Sequence, residues 1–261
     1  MVDLTGKRAM VCGSTQGIGK ASAIQLALNG ASITLVARKE DALQQTLKEL
    51  SVKAGQKHDY IIADFDKPEE LKKSVESYLT NGIQFQILVN NTGGPAGGEI
   101  TKAKPEEFLN TFQRHLICNH ILVQLLMEGM KNEKYGRIIN IISTSVKEPI
   151  KGLGVSNTIR AAVANWSKTM SFELAPFGIT VNNVLPGATA TGRITDIVGN
   201  TAKKTGKTEE QVTADMISKI PAGRFAQPEE IAYAVAFLAS PAASYINGTN
   251  LPVDGGRMGC L

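Results

Sequence analysis

The sequence of 261 residues is poor in aromatic residues, in cysteine and in long apolar runs, and each shortage excludes a class of protein. The three cysteines, Cys12, Cys118 and Cys260, are scattered and form no C-x-x-C pair, which argues against a disulfide framework or a cysteine zinc site. The longest apolar run, 231–239, is too short to cross a bilayer, so we expect no membrane partner. No signal-peptide pattern precedes the first strand-like run, and the expected location is the reduced cytoplasm.

The excess of charge of one sign is also small, since the chain has 28 basic and 24 acidic residues and a net charge of +4. The nearest approach to a basic cluster, Lys203, Lys204 and Lys207, has no interleaved aromatic residues, so nucleic-acid binding is not expected. The composition is that of a globular protein, and the length suits a single domain over 1–261.

Strand-like and helix-like segments alternate along the chain. The strands are predicted at 9–11, 32–36, 58–63, 86–90, 137–142 and 179–185, with helices over 40–54, from Pro68, over 105–130 and over 156–175. This alternation predicts an α/β fold, a single-domain doubly wound parallel sheet with helices on both faces. Such sheets bind ligands in the crevice at the carboxyl ends of their strands.

A glycine-rich turn, Gly13-x-x-x-Gly17-x-Gly19, joins the first strand to the first helix. A strand, a glycine turn and a helix N-terminus together aim backbone N–H groups at a phosphate. The alternative is a tight turn without a ligand, because turns use glycine for many reasons.

The polar stretch 190–220 departs from the alternation and carries Gly192, Gly199 and Gly206. Its position just after a predicted strand end makes it a candidate lid over a site. The alternative is an exposed loop and helix with no role in closure.

Taken together, these motifs resemble the short-chain dehydrogenase/reductase family, nearest to its 3-oxoacyl-acyl-carrier-protein reductase branch. Besides the glycine turn, the matching motifs are Asp64, Asn90-Asn91-Thr92-Gly93, residues 136–141 leading to Ser143, residues 177–182, Pro186-Gly187 and Val253-Asp254-Gly255-Gly256. The resemblance covers nearly the whole chain. It implies a Rossmann-like fold, a nicotinamide dinucleotide and a homotetramer built on the helices near 105–131 and 156–175.

The resemblance also implies which residues hold the cofactor. The pyrophosphate would be cradled by Gly13, Ser14, Thr15, Gly17, Ile18 and Gly19. Asp64 would bind the adenine, Asn90 would lie beside the adenosine ribose, and Pro186, Gly187 and Thr189 would hold the nicotinamide carboxamide.

Cofactor choice follows from charge at the end of the second strand. The NAD-preferring members have an aspartate there, whereas this chain has Ala37 followed by Arg38 and Lys39. A guanidinium can pair with a 2′-phosphate that a carboxylate would repel, which favours NADPH over NADH. The alternative is that both cations are simply solvated, at a helix start where the dipole disfavours them.

The catalytic positions depart from the family pattern. Ser143 matches the family's serine, but the tyrosine and the lysine four residues later fall on Ser156 and Arg160, and the family's asparagine falls on His115 or, one turn later, on Asn119. A serine hydroxyl is too weak an acid to replace tyrosine, and arginine, unlike His115, cannot exchange a proton near neutral pH. Arg160 can still bond the nicotinamide ribose.

Two hypotheses therefore stay open. The first is an NADPH-dependent reductase of a small-molecule carbonyl, 3-oxoacyl or a similar ketone, or the corresponding alcohol oxidation. Its proton would come from His115, Lys147, Lys151, water or the substrate, unless His115 is an ordinary helix histidine and the lysines are solvated. The second is an NADPH-binding pseudoenzyme acting as a sensor or partner subunit. A nucleic-acid or scaffold role has only the mild basicity in its favour, and no metal site is indicated.

Overall fold

A parallel sheet of seven strands forms the centre of the protein in a computed structural model that describes residues 2–260. The strands β1 to β7 are Arg8–Cys12, Ser32–Ala37, Asp59–Ile62, Ile87–Asn90, Gly136–Ile141, Ile179–Pro186 and Asn250–Val253. Their order is β3-β2-β1-β4-β5-β6-β7, and every neighbouring pair is parallel. The predicted doubly wound fold is confirmed, and the strand order reverses direction between β1 and β4, where such sheets bind ligands.

Helices cover both faces of this sheet. The helices α1 to α9 are Gly17–Leu28, Glu40–Leu47, Pro68–Leu79, Pro105–Phe112, Cys118–Glu133, Gly154–Leu174, Gly192–Thr205, Glu209–Ile217 and Pro228–Ala239. Successive residues of β1 enter different apolar clusters, Ala9 and Val11 on one face, Met10 and Cys12 on the other. This period of two is the reason that a fully buried strand supports a layer of helices on each side.

One helix is shorter than predicted by several residues, and one strand was not predicted. The helix expected over 40–54 ends at Leu47, because the chain then turns tightly, with Leu50 N–H donating to the Leu47 carbonyl oxygen and Gly55 at φ +76°. The edge strand β7 was not predicted. It is four residues long and contains Pro252, which only an edge strand tolerates and which weakens its sequence pattern.

The long helix predicted over 105–130 is interrupted. A π-helical turn, Gln113–Ile117, separates α4 from α5 and carries His115. The segment after β3 anchors this turn, since Arg114 pairs with the Asp66 carboxylate and Gln113 Nε2 donates to the Asp66 carbonyl oxygen at 3.0 Å. Such turns are rare and are frequently found at functional sites.

A ladder of buried amides crosses four strands of the sheet. Asn90 donates to Asn140 at 2.8 Å, Asn140 to Asn183 at 3.0 Å, and Asn183 to Asn250 at 2.8 Å, each between residues in direct register. Asn140 also donates to Ser167 Oγ of α6 at 2.9 Å. The ladder therefore joins β4, β5, β6 and β7 to one another and to the helix that carries Ser156 and Arg160.

The candidate lid over 190–220 contains two packed helices, α7 and α8. They have a small apolar cluster of their own, formed by Val198, Ala202 and Val212 with Met216 against it. No helix in residues 2–260 is long and apolar enough to span a membrane.

Candidate functional site

The glycine turn lies at the carboxyl end of β1 and leaves no room for side chains. Gly13 and Gly17 have φ of +58° and +52°, which other residues rarely adopt. A Cβ on Gly19 would lie 2.2 Å from the Gly13 carbonyl oxygen and 2.6 Å from Asn91 Nδ2. The start of α1 therefore packs directly against the turn, as a phosphate-binding turn requires.

Asn91 bridges the two strands at the point where the sheet order reverses. Its Nδ2 donates to the carbonyl oxygens of Cys12 at 3.2 Å and Gly13 at 3.3 Å, holding the end of β4 against the end of β1. The sequence motif includes Asn91, but no sequence pattern assigns it this role.

Two helix N-termini meet at this turn. A Cβ on Gly17 would lie 3.1 Å from Cγ2 of Thr191, which precedes α7. Neither α1 nor α7 has a side-chain cap or an acidic residue in its first turn, so the N–H groups of their first two residues are open to an anion. Thr191 was missed in the sequence because no motif in the chain marks it.

The other predicted pyrophosphate residues contribute unequally. The Ser14 side chain is buried beneath the turn and its Oγ donates to the Val36 carbonyl oxygen at 3.4 Å, so only its backbone N–H can face a ligand. Thr15 and Ile18 are half-buried, and Ile18 packs against the apolar cluster beneath the turn.

Further predicted cofactor residues lie along the same edge of the sheet. Arg38 and Lys39 follow β2, are exposed, and pair with no carboxylate in residues 2–260. Asp64 follows β3 and is half-buried, with its Oδ1 accepting from the Asp66 N–H at 3.0 Å.

Pro186 and Gly187 stand where β6 ends. Gly187 N–H donates to the Val253 carbonyl oxygen at 2.9 Å, and a Cβ there would lie 2.7 Å from Asp254 Cα. Buried Thr189 donates to the Gly187 carbonyl oxygen at 3.1 Å. The crevice thus runs from the end of β2 to the end of β6.

The predicted catalytic residues come from the end of β5 and from α6. Ser143 precedes a 3₁₀ turn over Thr144–Val146, against which α6 packs, and its Oγ accepts from the Ser145 N–H at 3.1 Å. Ser156 is half-buried, one helical turn before Arg160. Arg160 Nη1 donates to the Ile141 carbonyl oxygen at 2.6 Å, which points the guanidinium towards the strand ends.

A small cavity beside Arg160 is lined by unsatisfied polar atoms. Asn90 Oδ1, His115 Nε2, Asn119 Oδ1 and Arg160 Nε are all buried, and none has a hydrogen-bond partner in the described part of the chain. Buried polar groups are nearly always paired, but this cavity has no room for a water molecule, so the four atoms stay without a partner. The structure therefore brings Asn90, Arg160 and both alternatives, His115 and Asn119, to one place.

The prediction of His115 as a proton donor needs correction. Burial, followed by the nearby positive charge of Arg160, holds the pKa of His115 well below its usual 6.5, although the Gly93 carbonyl acts in the opposite direction. The imidazole is therefore neutral at physiological pH and holds no acidic proton to deliver. Burial and the charge of Arg193 lower the pKa of Arg160 to about 10, so Arg160 stays charged.

The remaining candidate donors lie away from this cavity. Lys147 and Lys151 are exposed on the loop between β5 and α6. The five tyrosines of the chain are bonded elsewhere or exposed. Tyr60 bonds Glu40, Tyr78 bonds Thr34 and Asp59, Tyr135 bonds the Ala239 carbonyl oxygen, and Tyr233 and Tyr245 are exposed.

Comparison with known proteins gives matches over almost the whole chain. Residues 13–257 match the family model described as enoyl-(acyl carrier protein) reductase. The chain is 31% identical over 256 residues to the NADPH-dependent reductase BacG of Bacillus subtilis, covering 98% of this chain and 99% of the relative. It is 34% identical over 253 residues to the 3-oxoacyl-acyl-carrier-protein reductase FabG of Haemophilus influenzae, covering 97% and 98%. The L-sorbose reductase of Gluconobacter frateurii has a similar structure, with a TM-score of 0.92, 31% identity and coverage of 100% and 99%.

The depressed pKa of His115 predicts a pH-dependent stability. Because the unfolded chain binds a proton at this residue near pH 6.5 and the folded chain does not, stability is complete above that pH and is lost as pH falls below it. The loss is at most about 1.4 kcal/mol per pH unit for one group.

Urea unfolding between about pH 7.5 and pH 5 should therefore give a flatter stability profile for His115→Asn than for the wild type. Burial also lowers the pKa of His58, with the same sign, so the difference between the two proteins isolates His115. Identical profiles would mean that folded His115 takes up the proton, and would restore it as an acid.

Proposed function

The chain belongs to the short-chain dehydrogenase/reductase family, and on this premise we propose that it reduces the carbonyl group of a small molecule with NADPH. The observation that carries the proposal is the crevice at the strand ends. There the glycine turn, which has no room for side chains, precedes α1. Arg38 and Lys39, which pair with no carboxylate in residues 2–260, follow β2. The substrate would be a 3-oxoacyl compound or a similar ketone.

The relatives support the choice of cofactor. BacG is named as NADPH-dependent, and the structure of the L-sorbose reductase contains NADPH and L-sorbose. In this chain the 2′-phosphate would lie against Arg38 and Lys39, the pyrophosphate against the N-termini of α1 and α7, and the nicotinamide beside Pro186, Gly187 and Thr189. Asp64 and Asn90 would hold the adenosine.

The chain's own residues would orient and polarise the substrate. Bound NADPH supplies the hydride for the carbonyl carbon. The Ser143 hydroxyl, fixed by the Ser145 N–H, would donate to the carbonyl oxygen, and Arg160 would add a positive charge on the same side of the crevice. Ser156 is too weak an acid and His115 is neutral, so the proton would come from water or from the substrate.

A second candidate function is favoured by the same residues. With Ser156 in place of a tyrosine and a neutral His115, the chain has no strong acid at the carbonyl. An NADPH-binding pseudoenzyme, acting as a sensor or partner subunit, would keep the binding crevice and dispense with turnover.

Assembly, location and domain organisation belong to the proposal as well. We infer a cytoplasmic protein, since Cys12, Cys118 and Cys260 are free thiols. We also infer one domain with the α7–α8 segment as its lid, because Arg193 at the start of α7 donates to the Pro95 carbonyl oxygen beside the crevice.

Cofactor preference should depend on Arg38. Replacing it with alanine removes a charged pairing that contributes about 1.5–3 kcal/mol, so NADPH affinity should fall roughly 10- to 150-fold while NADH affinity stays unchanged. Fluorescence titration with both cofactors measures this. The control is Lys53→Ala. Lys53 is exposed and precedes β3, at the amino-terminal end of the strands and not at the carboxyl end where Arg38 lies. Equal affinities of the wild type for NADPH and NADH would contradict the assignment.

Turnover should be limited by the missing acid. A general acid typically contributes about 10²–10⁴-fold, so Ser156→Tyr combined with Arg160→Lys should accelerate ketone reduction towards that factor. Single-turnover oxidation of NADPH with a panel of neutral ketones and 3-oxoacyl esters measures it. The matched control is Ser156→Phe with Arg160→Lys, which lacks the phenol.

A wild type that turns over at tens per second would show that no tyrosine is needed. If neither protein oxidises NADPH while both bind it, the reductase proposal fails and the pseudoenzyme stands.

We propose a homotetramer built on α4, α5 and α6. Six apolar residues of this stretch outnumber what one buried helix face needs. Leu126 is buried, Phe112 is exposed, and the half-buried ones are Phe108, Leu116, Ile121 and Leu125. The large apolar side chains left exposed on α4, on the π turn and on α6 are Leu109, Phe112, Ile117 and Phe172. An apolar surface of this kind is typical of a subunit contact.

Leu109→Asp with Phe172→Asp should therefore reduce the sedimenting mass, since both charges would have to be buried in the assembly. Leu28→Asp, at an exposed leucine of α1, is the control and should leave the mass unchanged. A wild type that sediments as a monomer at micromolar concentration would rule out the assembly.

A further inference from the structure

Two guanidinium groups converge above Gly94, in the loop that follows β4. Arg160 reaches this point from α6 and Arg193 from the first turn of α7. Their Nη2 atoms lie 3.7 Å and 3.6 Å from the position that a Cβ on Gly94 would occupy. The absent side chain leaves open the space between two like charges.

Neither arginine pairs with a carboxylate in residues 2–260. Arg160 donates to the Ile141 carbonyl oxygen and Arg193 to that of Pro95. Elsewhere the chain supplies acids, as in the pairs Arg114–Asp66 and Arg224–Glu230. Two arginine side chains held together without a carboxylate repel each other. Such an arrangement is typical of a site where an anion binds between the two charges.

Arg137, a buried arginine of β5, makes a useful contrast. Arg137 also donates to carbonyl oxygens, those of Gly136, Gly178 and Ser240, and its guanidinium lies over the Tyr135 ring. Carbonyl oxygens and a ring face can satisfy one buried guanidinium. The pair at Gly94 differs because the second guanidinium adds a positive charge that carbonyl dipoles do not neutralise.

We propose that Arg193 and Arg160 bind the carboxylate of the carbonyl substrate, which narrows the substrate class to oxo acids. This inference rests on the proposed reductase function. A carboxylate accepts paired hydrogen bonds from guanidinium groups and would neutralise the repulsion between them. Because Arg193 belongs to the candidate lid, the same contact would hold α7 against the loop after β4 when substrate is present.

The anion has a second possible source in the cofactor phosphates. Thr191, which precedes Arg193 by two residues, packs over Gly17 of the phosphate turn. The Arg193 side chain, however, donates to the Pro95 carbonyl oxygen and lies beside Arg160. Arg160 itself donates to the Ile141 carbonyl oxygen at the end of β5. This places the pair on the side of Ser143, where the carbonyl would lie, and the experiment separates the two sources.

The test compares acids with their own methyl esters. The assay follows NADPH oxidation with two pairs of compounds, acetoacetate with methyl acetoacetate and phenylpyruvate with methyl phenylpyruvate. The proteins compared are the wild type, Arg193→Gln and Arg193→Lys. The control variant is Lys203→Gln, which changes an exposed lysine near the far end of α7. The wild type and the control should prefer the acids. Arg193→Gln should lower kcat/KM for the acids about 10- to 100-fold, mainly through KM, and leave the esters within about twofold. Arg193→Lys should keep part of the preference, as a point charge without the planar fork.

Binding measurements keep the result independent of turnover. Acetoacetate and its ester are titrated by calorimetry into protein saturated with NADP⁺, and the affinity for NADPH is measured for each variant. Acid-selective binding that Arg193→Gln abolishes supports the carboxylate site even if no compound is reduced, an outcome that would reject only the reductase function.

Two outcomes would overturn the inference. One is equal affinity for acid and ester, unaffected by Arg193→Gln. The other is a large loss of NADPH affinity in Arg193→Gln with an unchanged ratio of acid to ester, which would assign the arginine pair to the cofactor phosphates.

Discussion

The close approach of α1, the glycine turn and Asn91 is the constraint on which the rest of the site depends. With a Cβ on Gly19 only 2.2 Å from the Gly13 carbonyl oxygen, no other residue fits without moving α1 or β1. The Asn91 amide then fastens the end of β4 to the same turn through Cys12 and Gly13. Because β1 and β4 flank the reversal of strand order, this contact fixes both walls of the crevice, and the loop from Asn91 to Pro95 starts from a defined position.

The asparagine ladder extends this constraint across the other half of the sheet. Each amide from Asn90 to Asn250 is paired with the next, and Asn140 adds Ser167 of α6. A buried polar network satisfied in this way is costly to rearrange, because any shift in register leaves amides unpaired. The unsatisfied Asn90 Oδ1 stands at the end of the ladder, in the cavity shared with His115 and Arg160. The ladder thus sets the distance between the β4 loop and α6, the helix with the candidate catalytic residues Ser156 and Arg160.

Most of the sheet could be predicted because its strands are buried on both faces and separated by helices, which leaves a strong pattern in single strands such as 32–36. The edge strand β7 could not, since Pro252 and a half-exposed face weaken that pattern. The π turn around His115 also escaped prediction, because one added residue in a helix barely alters its apolar spacing.

Residue types and order located Ser143, Ser156 and Arg160. They could not reveal Thr191 over Gly17, or Arg193 beside Arg160, because both contacts join segments far apart in the chain. The low pKa of His115 could not be inferred from the sequence for the same reason, since burial and a neighbouring cation are properties of the fold.

The electrostatics of the cavity limit how this site can use an anion. Arg160 lowers the pKa of His115, so a carboxylate that neutralised Arg160 and Arg193 would act in the opposite direction and make the imidazole easier to protonate. Burial, however, is the larger cause of the depressed pKa of His115. A substrate that fills the crevice excludes more water and so strengthens this effect of burial. His115 would therefore stay neutral in the complex as well. An imidazole in that state can still orient a polar group through its ring nitrogens, so its place in the π turn is better explained by positioning than by proton delivery.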